Sequence, residues 1–304
     1  MNDDEPKLYD LVNTQDPDAM HQEIQSIVKL LKTGSISRNL AVAYKDTVRL
    51  FNGTFPGYRA SNTKYHNLEH TAMVTLATAR LIHGCAGNGF DFHPDHILTA
   101  LTASLFHDAG LIQTERELEG TGARHTIGHE NRSVKFAREY LVKKGFSEKT
   151  ITNCAHMIFC TDLKQDVSEI PFESEEIATL GKIVGSSDLL AQIADRHYLE
   201  KLLLLFKEFE EAGVPGFDSE EQLLCKTEGF YKNVARKRLT EDFDNLAVNM
   251  RRHFMEKWDI HRDLYQETIE NNIKYLKTIC GNDKNREDTK LFNHLKRGDI
   301  VNNV

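Results

Sequence analysis

Six side chains of two kinds, His70, the adjacent pair His107-Asp108, His129, His156 and Asp188, set the chemistry to consider first. Neutral imidazoles and carboxylates, with no thiolate among them, suit a divalent cation such as Mn, Mg, Fe, Zn, Co or Ni. A shared Asp could bridge two such ions about 3.5–4 Å apart, the spacing of two-metal hydrolases. The five cysteines (Cys85, Cys154, Cys160, Cys225 and Cys280) are scattered and contain no Cys-x-x-Cys pair. They read as free thiols in a reducing cytoplasm rather than as a zinc site or a disulfide framework.

The six candidates sit on elements that read as helices. Only six prolines occur, with none between Pro94 and Pro171 or after Pro215. Alternating β-branched runs are nearly absent. Helical periodicity predicts segments near 18–33, 37–52, 67–83, 95–107, 127–144, 147–159, 174–194, 197–212, 219–252 (with a break at Gly229) and 260–279. Gly84, Gly110, Gly145 and Gly213 read as helix stops, and Pro94-Asp95 and Ser147 as starts. On these segments His70 shares a face with Val74, Ala77 and Leu81, and His107-Asp108 ends an apolar helix. His129 shares a face with Ser133, Phe136 and Tyr140. His156 adjoins the stripe Ile151, Ala155 and Ile158, and Asp188 follows Ile177, Leu180 and Val184. A carboxylate on an apolar stripe must find a cation or neutralise. Gly185, Ser186 and Ser187 beside it leave room for close approach.

The fold expected is all-α: one helical bundle with a C-terminal helical extension. Residues 1–60 supply N-terminal helices of the same domain, 61–195 the metal-binding core, 196–280 the C-terminal helices and 281–304 a polar tail. The formal net charge of −8 over 304 residues disfavours a dedicated nucleic-acid binder, which needs a surplus of Lys and Arg. The longest apolar run, Leu202 to Phe206, is too short to span a bilayer, so no membrane partner and a cytoplasmic location are expected. Leu199, Leu202, Leu203 and Phe206 read as a core stripe, with a homodimer face as the alternative. The basic run Arg236 to Arg238 reads as a solvated face paired with Glu241, Asp242 and Asp244.

The order His70, His107-Asp108, Asp188 resembles the H…HD…D signature of the HD superfamily of metal-dependent phosphohydrolases, and Leu-Phe-His107-Asp108-Ala-Gly110 resembles its apolar-His-Asp-x-Gly context. The run His129-Glu-Asn-Arg-Ser133 is similar to the His-Glu-x-x-Ser run at which dinuclear members place a further ligand, and His156 falls where they supply another. The resemblance covers about residues 65–192 and implies an HD-like bundle. It also implies one metal on His70, His107, Asp108 and Asp188, and a second bridged by Asp108 to His129 and His156.

A narrower resemblance joins Tyr65-His66-Asn67-x-x-His70 with Val74 to class I cyclic-nucleotide phosphodiesterases. It implies His66 as the general acid, oriented by Glu69 or another carboxylate, with Asp108 at the reaction centre and Asn67 near substrate. The expected function is hydrolysis of a phosphodiester of a cyclic or other nucleotide by metal-activated water. That family's His three residues beyond its His-Asp pair is absent, since Asp108 is followed by Ala-Gly-Leu. The loop from Gly110 to Gly128 could close over a phosphorylated substrate, with Arg124 reaching a phosphate. The same ligand set also serves di-iron oxygenases of the superfamily, and an idle nucleotide-binding HD scaffold is the third alternative.

Overall fold

The computed structural model describes residues 5–281 and Leu295. Its described residues form eleven α-helices: α1 Pro17–Leu30, α2 Ser37–Phe51, α3 Leu68–Gly87, α4 Pro94–Phe106, α5 His129–Lys143, α6 Glu148–Phe159, α7 Glu175–Ile193, α8 Tyr198–Ala212, α9 Glu220–Phe230, α10 Met250–Trp258 and α11 Leu264–Gly281. Extended pairing among these residues is limited to the isolated bridges Asn52–Ala60 and Tyr58–Thr114. The fold is all-α, as the proline spacing and periodicity imply. Of the polar tail expected over 281–304, all but Gly281 and Leu295 lies outside the described residues.

The bundle is built around α3. From His70 to Cys85 only Met73 escapes full burial, and apart from His70, Arg80 and His83 the buried residues are apolar or small on every side, the signature of a central helix. Two of its threonines, Thr75 and Thr78, fit inside because they donate their hydroxyls to carbonyls one turn back. The most extensive helix–helix contact is between α3 and α7, with α1, α4 and α10 also against α3. Buried hydrophobic residues from Met20 to Ile279 join in one core. The stripe Leu199, Leu202, Leu203 and Phe206 of α8 belongs to that core and is at most 6 % exposed, which removes it as a dimer face.

Four local expectations are corrected. Gly84 does not end α3. It is the contact point with the 246–249 turn, where a Cβ would lie 2.0 Å from the Asn249 carbonyl oxygen. Gly229 does not break the long segment 219–252 but lies inside α9. That segment unwinds through two π-turns, and Asp244 and Asn245 at positive φ then redirect the chain into α10. Cys225 of α9 and Cys280 of α11 form a disulfide with Cα atoms 5.6 Å apart, so only Cys85, Cys154 and Cys160 are free thiols. The pair had no local signal because its cysteines are 55 residues apart. Arg238 is not part of a solvated face but is buried, donating to the carbonyls of Asp162 and Gln165.

Where α10 crosses α3, His83 and His253 meet with Nδ1 atoms 3.3 Å apart and His253 wholly buried. Burial lowers both pKa values from 6.5. Arg80 and Lys257 lower His253 further, and Glu256 only partly offsets the shift at His83. Both rings are therefore neutral in the fold and protonate readily in the unfolded chain. Below about pH 6.5 the unfolded state binds more protons, so stability falls with acidification. Between about pH 7.5 and about pH 5.5, thermal melts of the native protein are expected to shift less favourably on acidification than those of His253→Gln. Equal shifts in the two proteins would contradict this account.

Candidate metal centre

Four helices deliver the cluster. Asn67 caps α3, its side-chain oxygen accepting from the His70 N–H at 3.0 Å, while its amide donates to the Lys64 carbonyl. The asparagine of the Tyr-His-Asn-x-x-His run thus fixes the first turn that carries His70. At the end of α4, His107 turns inward, and its Nδ1 donates to the Ser104 carbonyl at 2.8 Å. His129 opens α5 behind Gly128, which has a positive φ of 81°, and its Nδ1 donates to the Thr126 carbonyl at 2.9 Å. With Nδ1 donating, each ring keeps an Nε2 lone pair directed at the centre, the usual support for a metal-ligating histidine.

The His107-Asp108-Ala-Gly110 and His129-Glu-Asn-Arg-Ser133 runs meet at Gly110. Its N–H donates to Ser133 Oγ at 2.9 Å, and Arg132 Nε donates to its carbonyl at 2.7 Å. A Cβ there would stand 2.1 Å from the His129 carbonyl oxygen. The glycine is required by close approach, because α5 must lie directly on the His107-Asp108 turn for His129 to reach Asp108.

Asp108 sits at the middle. One carboxylate oxygen lies 3.2 Å from His129 Nε2; the other lies 3.2 Å from His107 Nε2 and 3.5 Å from His70 Nε2. Asp188 of α7 faces His70 Nε2 at 3.3 Å and His107 Nε2 at 3.7 Å. His70, His107 and Asp108 are buried, and their ligand atoms lie within 4.8 Å of one another, so the cluster could hold a metal ion. The side chains fit such an ion by the test of unmet valence. His107 Nε2 and the Asp108 oxygen beside it are buried without a hydrogen-bond partner, a costly arrangement unless a cation takes both. In the protein alone, burial disfavours the charged imidazoles, but Asp108 overrides it and holds His107 and His129 up at about 9. Burial likewise opposes ionisation of Asp108, yet the surrounding histidines keep its carboxyl well below the ordinary range.

His66 stands beside the cluster, its ring centre 5.9 Å from that of His70 and 6.2 Å from that of His129. Its Nδ1 is 2.6 Å from Glu208 of α8, whose other oxygen accepts the Tyr65 N–H at 2.6 Å. Burial opposes the charged form of His66, and the carboxylates of Glu208 and Asp108 outweigh it and raise its pKa. Glu69 is not the orienting carboxylate; it bonds Thr14 and Lys201.

Two expected participants are placed elsewhere. His156 makes no ion pair with Asp108 and packs edge-on against Phe172 at 6.0 Å, because its turn of α6 faces the 170–173 segment. Arg124 is exposed, donates to the Glu119 carbonyl and does not line the cavity. Its loop is held rather than loose, since Thr121 binds Glu211 of α8 through both its N–H and its hydroxyl. The cavity, about 660 Å³, opens from His66, His70, Asp108, His129 and Asp188 toward α8 and α9. Glu130 and Asp162 line its polar end and Glu208 supports His66. Sequence reasoning missed all three, although Glu130 lies inside the His-Glu-x-x-Ser run.

Fold and site together define an all-helical protein with a buried His/Asp cluster able to hold a metal ion. Residues 24–255 match the model of the Npun_R2479-like family, and the chain belongs to that family. Against the curated proteins the chain has no match. Among the described residues no helix is long and apolar enough to cross a membrane.

Two outcomes follow from this geometry. Ion-free protein should bind Mn or Zn more tightly as pH rises toward about 9, releasing protons from His107 and His129, and calorimetry in buffers of different ionisation enthalpy reads the release. An affinity independent of pH would contradict it. Gly110→Ala should weaken metal retention by pushing His129 away from Asp108, measured by metal content after gel filtration.

Proposed function

We propose that the protein is a metal-dependent phosphohydrolase that cleaves a phosphodiester. His70, His107, Asp108 and Asp188 would hold one divalent cation, and the other oxygen of Asp108, with His129, would hold a second. Mn, Mg, Fe, Zn, Co and Ni all suit this donor set. Bound cations would supply charge to neutralise the phosphoryl group and activation of the attacking water. The observation that carries the reading is the His66–Glu208 pair set against the cluster. Glu208 engages Nδ1 and its carboxylate, with Asp108, favours the imidazolium form, in which Nε2 carries a proton that could pass to a leaving alkoxide. Asp108 does not act as the acid, since its carboxyl is held ionised.

The test is metal-dependent hydrolysis of cyclic mononucleotides, a linear dinucleotide and an aryl phosphodiester with Mn or Mg, beside Asp108→Ala. His66→Asn should lower kcat by about 10²–10⁴ on esters with alkoxide leaving groups. It should matter far less for a p-nitrophenolate, which departs unprotonated. Absence of metal-dependent turnover on every ester, or turnover that survives Asp108→Ala, would sink the proposal.

A further inference from the structure

We infer that the ester carries a large apolar organic group rather than a nucleoside; this rests on the phosphohydrolase reading of the site. Beyond its His/Asp end, the cavity is walled by Leu189 of α7, Leu202, Leu205 and Phe209 of α8, and Leu223 and Phe230 of α9. Five of the polar side chains that line the cavity donate to protein, while Lys164, Tyr198, Glu130 and Asp162 line it as well. Thr126, Thr161 and Thr227 donate to the carbonyls of Ala123, Ile158 and Leu223. Gln192 donates to the Tyr65 hydroxyl, and Lys226 donates to the Gly216 carbonyl and lies over the Phe217 ring.

A nucleoside brings ribose hydroxyls and base edges that must trade water for protein partners. With those five donors engaged, the leucine and phenylalanine walls offer ribose and base few partners, which weakens binding. An alkyl or aryl group gives up no hydrogen bonds on entry and gains from every methylene removed from water. The volume of about 660 Å³ lies in the usual range for a small-molecule site. His66 stands where this apolar chamber meets the metal cluster, so an apolar alcohol would leave directly into the chamber after taking the proton.

The probes are methyl-, butyl- and hexylphosphonate, hexan-1-ol and adenosine monophosphate, titrated calorimetrically into the full-length protein with Mn present. Phosphonates are not hydrolysed, so the result does not depend on turnover. Affinity should rise about three- to fourfold per methylene along the series. Hexylphosphonate should bind more tightly than both adenosine monophosphate and hexan-1-ol. Leu205→Gln and, separately, Leu223→Gln should flatten the slope, and a folding failure in one leaves the other and the native series to decide. A flat series, or tighter binding of the nucleotide, would overturn the apolar class while leaving the phosphohydrolase reading in place. Equal affinity for hexan-1-ol and hexylphosphonate would instead remove the phosphoester itself.

Discussion

A carboxylate held ionised inside the protein is the constraint on which the rest depends. Asp108 is 3 % exposed and lies against three imidazoles. Removing such a group from water is tolerable only when positive charge or a cation meets it on every open side. That requirement explains why helices distant in sequence converge here. His70 arrives on α3, the most buried helix, His107 at the end of α4, His129 at the head of α5 and Asp188 on α7, the main partner of α3. The backbone carbonyls of Ser104 and Thr126 turn two of the rings so that their lone pairs converge. Gly110 removes the one Cβ that would hold α5 off.

Much of this was readable from the chain. The all-helical class followed from proline spacing and periodicity, and both resemble what the structure contains, with helix ends displaced by a few residues. His70, His107, Asp108, His129 and Asp188 were identifiable from their places on the periodic pattern together with the resemblance to the H…HD…D signature, and those five do converge. His156 had the same kind of local signal, and the fold turns it toward Phe172 instead. A periodic stripe tells which side of a helix is inward, but a residue one position off that stripe can face either of two neighbours. Asn67 shows a second limit: the motif that contains it was visible, but its role as the cap of α3 depends on where the helix begins.

Glu208 and the Cys225–Cys280 pair mark the third limit. Their partners are 142 and 55 residues away, and no pattern within a helix refers to them. Gly84 was misread for a related reason. Glycine marks a helix end by conformation, but it also marks a place where another backbone comes close, and only the packing separates the two uses. At Gly84 the approaching group is the Asn249 carbonyl.

Glu208 lies on α8, among the helices that wall the cavity, whereas the imidazole it supports belongs to the segment leading into α3. Residues 61–195 are therefore not a transferable module. A chain ending there would keep the ligands but lose the counter-charge for His66, leaving its proton weakly held. The same link constrains divergence: exchanging α8 would reset the acidity of His66 beside the His/Asp cluster as well as the cavity wall. On the proposed function, substrate choice and proton donation would be inherited together on one helix.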